Sequence, residues 1–325
     1  MKAVKIIGFV LLGLLVVVAA TGTYVKVALP DTGAAPQIKI ERTAERIKRG
    51  EYLANHVSVC MGCHSTRDER LYGGPVVGGF GAGGEKFDQQ AGLPGKFYAS
   101  NITPYKLLGW TDGEMFRALT TGENKFGKAI FPLMPWEHIG KMDKEDVYSI
   151  IAYLRSIPAI KKDIPASEID FPVNFILNTM PHKANLGKLP SENDTVKYGA
   201  YLVNAAACVD CHSKRYHGDI IHGTEFGGGM EFKQQGGVVY SANITPDRLT
   251  GIGSWSSDLF IQRFKSFEGK EKQAARLNPG DPQIPMPWYL YAGMKTTDLA
   301  AIYAYLRTVK PIHNQVVAFQ KQVFR

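Results

Sequence analysis

Two short motifs constrain this chain more than anything else in it: Cys60-Met61-Gly62-Cys63-His64 and Cys208-Val209-Asp210-Cys211-His212. A Cys-x-x-Cys pair followed directly by His is the attachment signature of c-type haem. Each thiol forms a thioether with a vinyl group, and the adjoining imidazole is placed to ligate the iron. The chain has four cysteines, and the two motifs use all of them. None remains for a disulfide, a zinc cluster or a thiol nucleophile. A thioredoxin-like pair or half of a zinc site also begins with Cys-x-x-Cys. Neither requires the His, and a zinc site would leave the matched segments around the motifs unexplained.

Those segments form an internal repeat. Gly50-Glu51-Tyr52-Leu53-Ala54-Asn55 precedes the first motif and Gly199-Ala200-Tyr201-Leu202-Val203-Asn204 the second. A Gly-rich loop follows each, with Phe80-Gly81-Ala82-Gly83-Gly84 in one copy and Phe226-Gly227-Gly228-Gly229 in the other. Ser100-Asn101-Ile102-Thr103-Pro104 then matches Ala242-Asn243-Ile244-Thr245-Pro246, Trp110 matches Trp255, and Leu133-Met134-Pro135-Trp136 matches Pro285-Met286-Pro287-Trp288. Each copy closes with Ala-Tyr-Leu-Arg, at 152–155 and 304–307. The expected organisation is two tandem domains of one fold, at 40–157 and 193–311. Residues 158–192, with five prolines, read as a surface crossover, and 312–325 as a tail whose conformation is open.

The expected class is mainly α. Residues 41–58 have few breakers and lead into the first motif. Asp143 is placed to cap a helix carrying Val147, Ile150, Ile151 and Leu154 at helical spacing. Its counterpart begins near Thr296 or Thr297. Trp110-Thr111-Asp112 and Trp255-Ser256-Ser257 each open a further short helix. No strand run is convincing. Gly50 and Gly199 are read as permitting close crossing of the last helix near Tyr153 and Tyr305.

An iron held by His has a sixth position, and the ligand there decides its use. Met134 and Met286 are the candidates, about seventy residues after their own His in Pro-flanked stretches. The competing role is a soft core filler beside Trp136 or Trp288. Met134 and Met286 match one another across the repeat, which favours ligation. Asn101 and Asn243, with Thr103 and Thr245, either bond haem propionates or fix the turn before the proline. Trp110 and Trp255 either donate to a propionate or are core. His56, His138, His182, His217, His222 and His313 have no match, and most of them read as surface or loop residues.

Ile6 to Val25 carries no charge for twenty residues and follows Lys2 and Lys5. At helical rise it spans a hydrocarbon core of about 30 Å. The basic flank places the N-terminus in the cytoplasm and the haem domains outside. Residues 1–28 are therefore expected to be an uncleaved single-pass anchor in the inner membrane, with a signal peptide cut near Val18-Ala19-Ala20 as the alternative. The formal charge is +8. Four haem propionates would lower it to about +4. Basic residues gather at Arg42, Arg46, Lys48 and Arg49 and at Lys265, Lys270, Lys272 and Arg276, either to steer an acidic partner or as ordinary solvated faces. Nothing calls for nucleic acid.

The chain resembles the bacterial dihaem cytochrome c proteins, in particular the cytochrome c subunits of membrane-bound alcohol and gluconate dehydrogenases. The resemblance rests on the Cys-x-x-Cys-His, Asn-Ile-Thr-Pro and Met-Pro-Trp segments and covers residues 40–310. It implies helical cytochrome c domains with two covalently attached haem c groups, His64 and His212 paired with Met134 and Met286, and single-electron transfer. Those subunits usually carry three haem motifs; this chain carries two. The expected function is an exported electron carrier between a dehydrogenase or quinol-linked complex and an oxidase or soluble cytochrome. The alternative is a dihaem enzyme such as a peroxidase, which would need one iron with an open site. The near symmetry of the two ligand sets argues against it.

Overall fold

A computed structural model describes residues 2–321. They divide into two compact units. The first comprises Met1–Lys39, Trp110–Gly140 and Ile169–Asn185. The second comprises Ile40–Gly109, Lys141–Glu168 and Leu186–Arg325, and holds both cysteine motifs.

In the first unit the helix Lys2–Val27 is apolar for most of its length and buries only Val25. The chain after it is strapped to the helix Asp112–Thr121. Glu123 is buried, accepts the amide and hydroxyl of Thr32 at 3.0 and 2.7 Å, and pairs with Arg117 at 3.1 Å. Gly113 lies so close beneath the Pro36 carbonyl that a Cβ there would overlap it. The expected start of Asp112–Thr121 is present: Thr111 and Glu114 form a reciprocal capping box.

The second unit is organised by two helix pairs. We call Ala44–Tyr52 and Thr195–Ala205 the leading helices, and Lys144–Ser156 and Thr296–Leu306 the closing helices. Each leading helix packs against the closing helix of its own copy. The crossing is as close as the glycines suggest. A Cβ on Gly50 would fall on the Ser149 carbonyl, and one on Gly199 on the Ala301 carbonyl; Tyr153 and Tyr305 lie beside them. The apolar stripe of the first closing helix is buried, with Val147, Ile150 and Ile151 at 0 % exposure. Asp143 caps it through the Glu145 amide.

Between the leading glycine and the first cysteine the two copies differ in length by one residue. Cys60 follows Gly50 by ten positions, whereas Cys208 follows Gly199 by nine. The extra residue is absorbed in a π-turn at Leu53–Val57, closed by the Ser58 amide on the Leu53 carbonyl at 2.7 Å. A widened turn takes up an insertion without shifting either end of the helix.

Short strands, which sequence patterning did not show, complete the second unit. Glu231–Gln234 and Gly237–Tyr240 form an antiparallel hairpin, and the tail adds Phe319–Lys321 to its free edge, with Phe319 opposite Val239. Phe319–Lys321 of the tail thus pairs as a strand. Runs of two to four residues are too short to show a period.

Two other expectations are revised. His138 is buried and His56 is half-buried, with Nδ1 on the Leu290 carbonyl at 2.8 Å, so neither is a surface loop histidine. Arg46 and Arg49 do not form a free basic patch. They pair with Glu145 and Asp146 of the closing helix at 2.5 and 2.8 Å.

Candidate haem-attachment sites

Each cysteine motif folds as one helical turn, Cys60–Cys63 and Cys208–Cys211. Residues three apart on such a turn share a face, so the two thiols of each pair lie side by side. The residue before each turn takes the left-handed conformation, Val59 at φ 44° and Ala207 at φ 51°. This is uncommon for residues with a Cβ, and its recurrence shows that both turns are entered in the same way.

Cys63 and Cys211 are exposed to solvent. Yet burial pushes the Cys63 thiol above the usual range against the charge of Arg67, and burial and then the charge of Asp210 push Cys211 to about 11. Burial pushes the Cys60 and Cys208 thiols up to about 12. A dithiol redox site needs a depressed thiol, and these move the other way.

The imidazoles are fixed identically. His64 Nδ1 lies 2.7 Å from the Ser100 carbonyl, and His212 Nδ1 lies 2.7 Å from the Ala242 carbonyl. A carbonyl only accepts, so Nδ1 carries the proton and Nε2 presents its lone pair, the form that binds a metal. Burial lowers the pKa of both rings, against the carbonyl bond, which favours the neutral ligand form.

The repeated Asn-Ile-Thr-Pro segments hold those carbonyls in place. Asn101 accepts from the amide and hydroxyl of Thr103 at 2.9 and 2.7 Å and donates to the carbonyls of Ile160 and Lys162. Asn243 does the same with Thr245 at 3.0 and 2.7 Å, donating to Ile312 and Thr250. These bonds make the turn the residues were read as candidates for. The Gly-rich loop closes the frame. The Gly83 amide reaches the His64 carbonyl at 2.9 Å, and the Gly228 amide reaches that of His212 at 2.8 Å. Both glycines have positive φ, and a Cβ on either would press on the backbone of Ser100 or Ala242 at 2.5 Å. The key acceptors are thus backbone atoms of Ser100 and Ala242. Sequence reading missed them, and the only available signal was that each opens a repeated segment.

The remaining candidates are placed as follows. Met286 lies in the second unit and is partly exposed, with its carbonyl accepting from the Trp288 amide at 2.8 Å. Met134 lies in the first unit in the same local turn, its carbonyl accepting from Trp136 at 2.8 Å. Trp110 meets Phe126 edge-on at 6.4 Å, under Lys125. The Trp255 carbonyl accepts the Tyr303 hydroxyl at 2.5 Å.

The two attachment turns lie near one another within the second unit. Buried Tyr291 donates to the Ala206 carbonyl at 3.0 Å. Its phenol is raised first by burial, and its neighbour Leu290 packs on Gly62 of the first turn, 3.1 Å from where a Cβ would stand.

Paired thiols on one turn and an imidazole with Nε2 available are the donor set of covalent haem c. Residues 196–310 match the family model described as Cytochrome c, a domain that implies covalently bound haem c. Several of this chain's curated relatives are named as cytochrome subunits of dehydrogenases. It is 28% identical to the fructose dehydrogenase cytochrome subunit of Gluconobacter japonicus, over 89% of this chain and 58% of that protein. It is 38% identical to the gluconate 2-dehydrogenase cytochrome c subunit of Pantoea cypripedii, over 42% of this chain and 28% of that one. A diheme cytochrome c-type protein of Cereibacter sphaeroides is 24% identical over 78% of this chain and 82% of its own length. The chain spans little more than half the length of the fructose dehydrogenase subunit. All three of these relatives are named as cytochromes, and the N-terminal apolar helix is a candidate membrane anchor.

Proposed function

We propose that this chain is an exported dihaem c-type cytochrome, held in the inner membrane by residues 1–28. It transfers electrons from a respiratory donor, a dehydrogenase or a quinol-linked complex, to an oxidase or soluble cytochrome. It is an electron-transfer subunit rather than a catalyst on its own. In this reading its tandem domains, 40–157 and 193–311, each hold one covalent haem. Cys60, Cys63 and His64 serve the first with Met134 as second axial ligand; Cys208, Cys211 and His212 serve the second with Met286. Asn101 and Asn243 act by fixing the carbonyls that orient the imidazoles, and Trp110 and Trp255 border the propionates. Haem iron supplies one-electron transfer, and a thioether ligand stabilises its reduced state.

The observation that carries this reading is the duplicated imidazole lock, His64 on Ser100 and His212 on Ala242, both at 2.7 Å. A single attachment turn would explain one Cys-x-x-Cys-His. Two turns framed by the same bonds argue for two equivalent sites, and their proximity around Tyr291 suits transfer of electrons between them. The relatives support a dehydrogenase as donor.

Intact-mass analysis of protein matured with haem tests the reading. The expected mass exceeds that of the polypeptide by two haem groups, and the Cys60→Ala, Cys63→Ala double variant should retain one. A single haem in the parent chain would refute it. Extraction in mild detergent, followed by a native gel stained for haem, would then identify the donor complex by co-migration.

A further inference from the structure

The crossover segment carries an exposed apolar surface beside the candidate membrane helix. Asp170 to Ile176 forms a compact stretch, with the Asn174 amide on the Asp170 carbonyl and the Phe175 and Ile176 amides on Pro172. The one-turn helix Val173–Ile176 and the 3-10 turn Leu177–Thr179 both pack against Lys2–Val27. Phe175 reaches Gly22 of that helix, its ring tip 3.8 Å from where a Cβ would stand. Leu177 is buried, whereas Phe171 is 84% exposed and Ile176 46%. The polar residues Asp170, Asn174, Asn178 and Thr179 are interspersed.

Depth follows from helical rise. Ile6–Val25 covers about 30 Å, so Gly22 lies only about one turn inside the outer end of the apolar stretch. A segment that touches Gly22 is therefore level with the boundary between hydrocarbon and headgroups, where Lys26 and Tyr24 also stand. Aromatic and aliphatic side chains on a short polar-apolar element are suited to that depth.

We propose that Phe171–Ile176 is a second membrane contact, dipping Phe171 and Ile176 into the outer leaflet beside the anchor. The occupant of this surface is lipid, because the patch continues the apolar face of a helix built to stand in lipid. The consequence is orientation. A chain held by one helix can swivel about it, whereas a second contact beside the helix fixes which side of the first unit faces the membrane. This inference rests on the reading of Lys2–Val27 as an anchor.

The test uses the full-length, haem-loaded protein in vesicles of phosphatidylcholine doped with a phosphatidylcholine whose acyl chain bears a diazirine. After illumination, lipid adducts are mapped by peptide mass spectrometry. Adducts on both Ile6–Val25 and Phe171–Ile176, with the latter lost in a Phe171→Asp, Ile176→Asp variant, support the proposal. Adducts confined to Ile6–Val25 overturn it and leave the anchor intact. Adducts on neither segment overturn the anchor reading and this proposal together.

Discussion

The Tyr52 hydroxyl donates to Asp298 Oδ2 at 2.6 Å while accepting from the Lys295 amide at 3.1 Å. Its counterpart Tyr201 donates to Asp146 Oδ2 at 2.6 Å and accepts from the Asp143 amide at 3.2 Å. Each leading helix thus bonds the closing helix of the other copy, and each copy gives what it receives, as across a two-fold axis. Each Asp is also held from within its own copy at matched positions. Arg49 clamps Asp146 with two bonds of 2.8 Å, and Tyr198 reaches Asp298 at 3.4 Å. The tyrosines therefore set how one copy stands against the other.

Removing one hydroxyl should loosen that joint without unfolding either copy. Tyr52→Phe and Tyr201→Phe are each expected to cost about 1.5–3 kcal/mol, the range for hydrogen bonds to charged groups. Asp146→Ala should cost more, about 3 kcal/mol or above, because it strands Arg49. Denaturant melts of the four members of a Tyr52→Phe, Asp298→Asn cycle measure the coupling. Additive single effects would show that the pair contributes nothing of its own.

The same tyrosines define an alkaline limit. Burial and then the bond to Asp298 raise Tyr52, and burial and then the charge of Asp146 raise Tyr201. A folded-state pKa above the unfolded value of about 10 means the stabilisation is complete below that pH. It is lost as pH rises further, toward the folded value. Ultraviolet titration should find these two phenols ionising last, together with unfolding. Their titration near pH 10 in an intact fold would contradict the arrangement.

Gly83→Ala and Gly228→Ala should disturb the imidazole locks. Each new Cβ meets the backbone that supplies the carbonyl to His64 or His212, at a φ of 70° or 71°. The expected cost is about 1–3 kcal/mol, with a change in the visible and electron paramagnetic resonance spectra of the haem concerned. Gly92→Ala is the control: its φ is 81° but nothing lies within 4 Å of the added methyl. It should cost stability alone and leave the spectra unchanged.

Met134→Ala and Met286→Ala address the axial ligands. Loss of a thioether that stabilises reduced iron should lower the potential of one haem in each variant. Redox titration followed optically reads both haems together. If neither variant moves a midpoint, the methionines are core fillers and the sixth ligands are elsewhere.

Gly199→Ala tests the helix crossing. With a Cβ placed on the Ala301 carbonyl, the two helices must separate, and a loss of about 3 kcal/mol is expected. A shift in melting temperature within experimental scatter would show that the crossing can relax freely.

Much of this protein is written in local pattern. The expectation of haem attachment at Cys60, Cys63 and His64 and their duplicates is legible because attachment needs residue types at fixed short spacing. The caps at Thr111 and Asp143, the close approach at Gly50 and Gly199 and the long apolar helix are also legible, since each depends on neighbours a few residues away or on the lack of a side chain. What Asn101 and Asn243 do became clear only once their amides were seen bonded to Ile160 and Ile312, about sixty or seventy positions away.

Other features belong to the tertiary structure alone. The carbonyls of Ser100 and Ala242 that orient the imidazoles are backbone atoms, which every residue has and no motif can mark. Tyr52 and Asp298 lie 246 positions apart, and each is unremarkable in its own segment. The tail pairs as a strand because the Gly237–Tyr240 edge is there to receive it. The sequence by itself determined the cofactor chemistry and the repeat, which reside in local spacing. Only the tertiary structure decided how the copies lock together and which carbonyl holds each imidazole, because these depend on groups that meet in space far from one another along the chain.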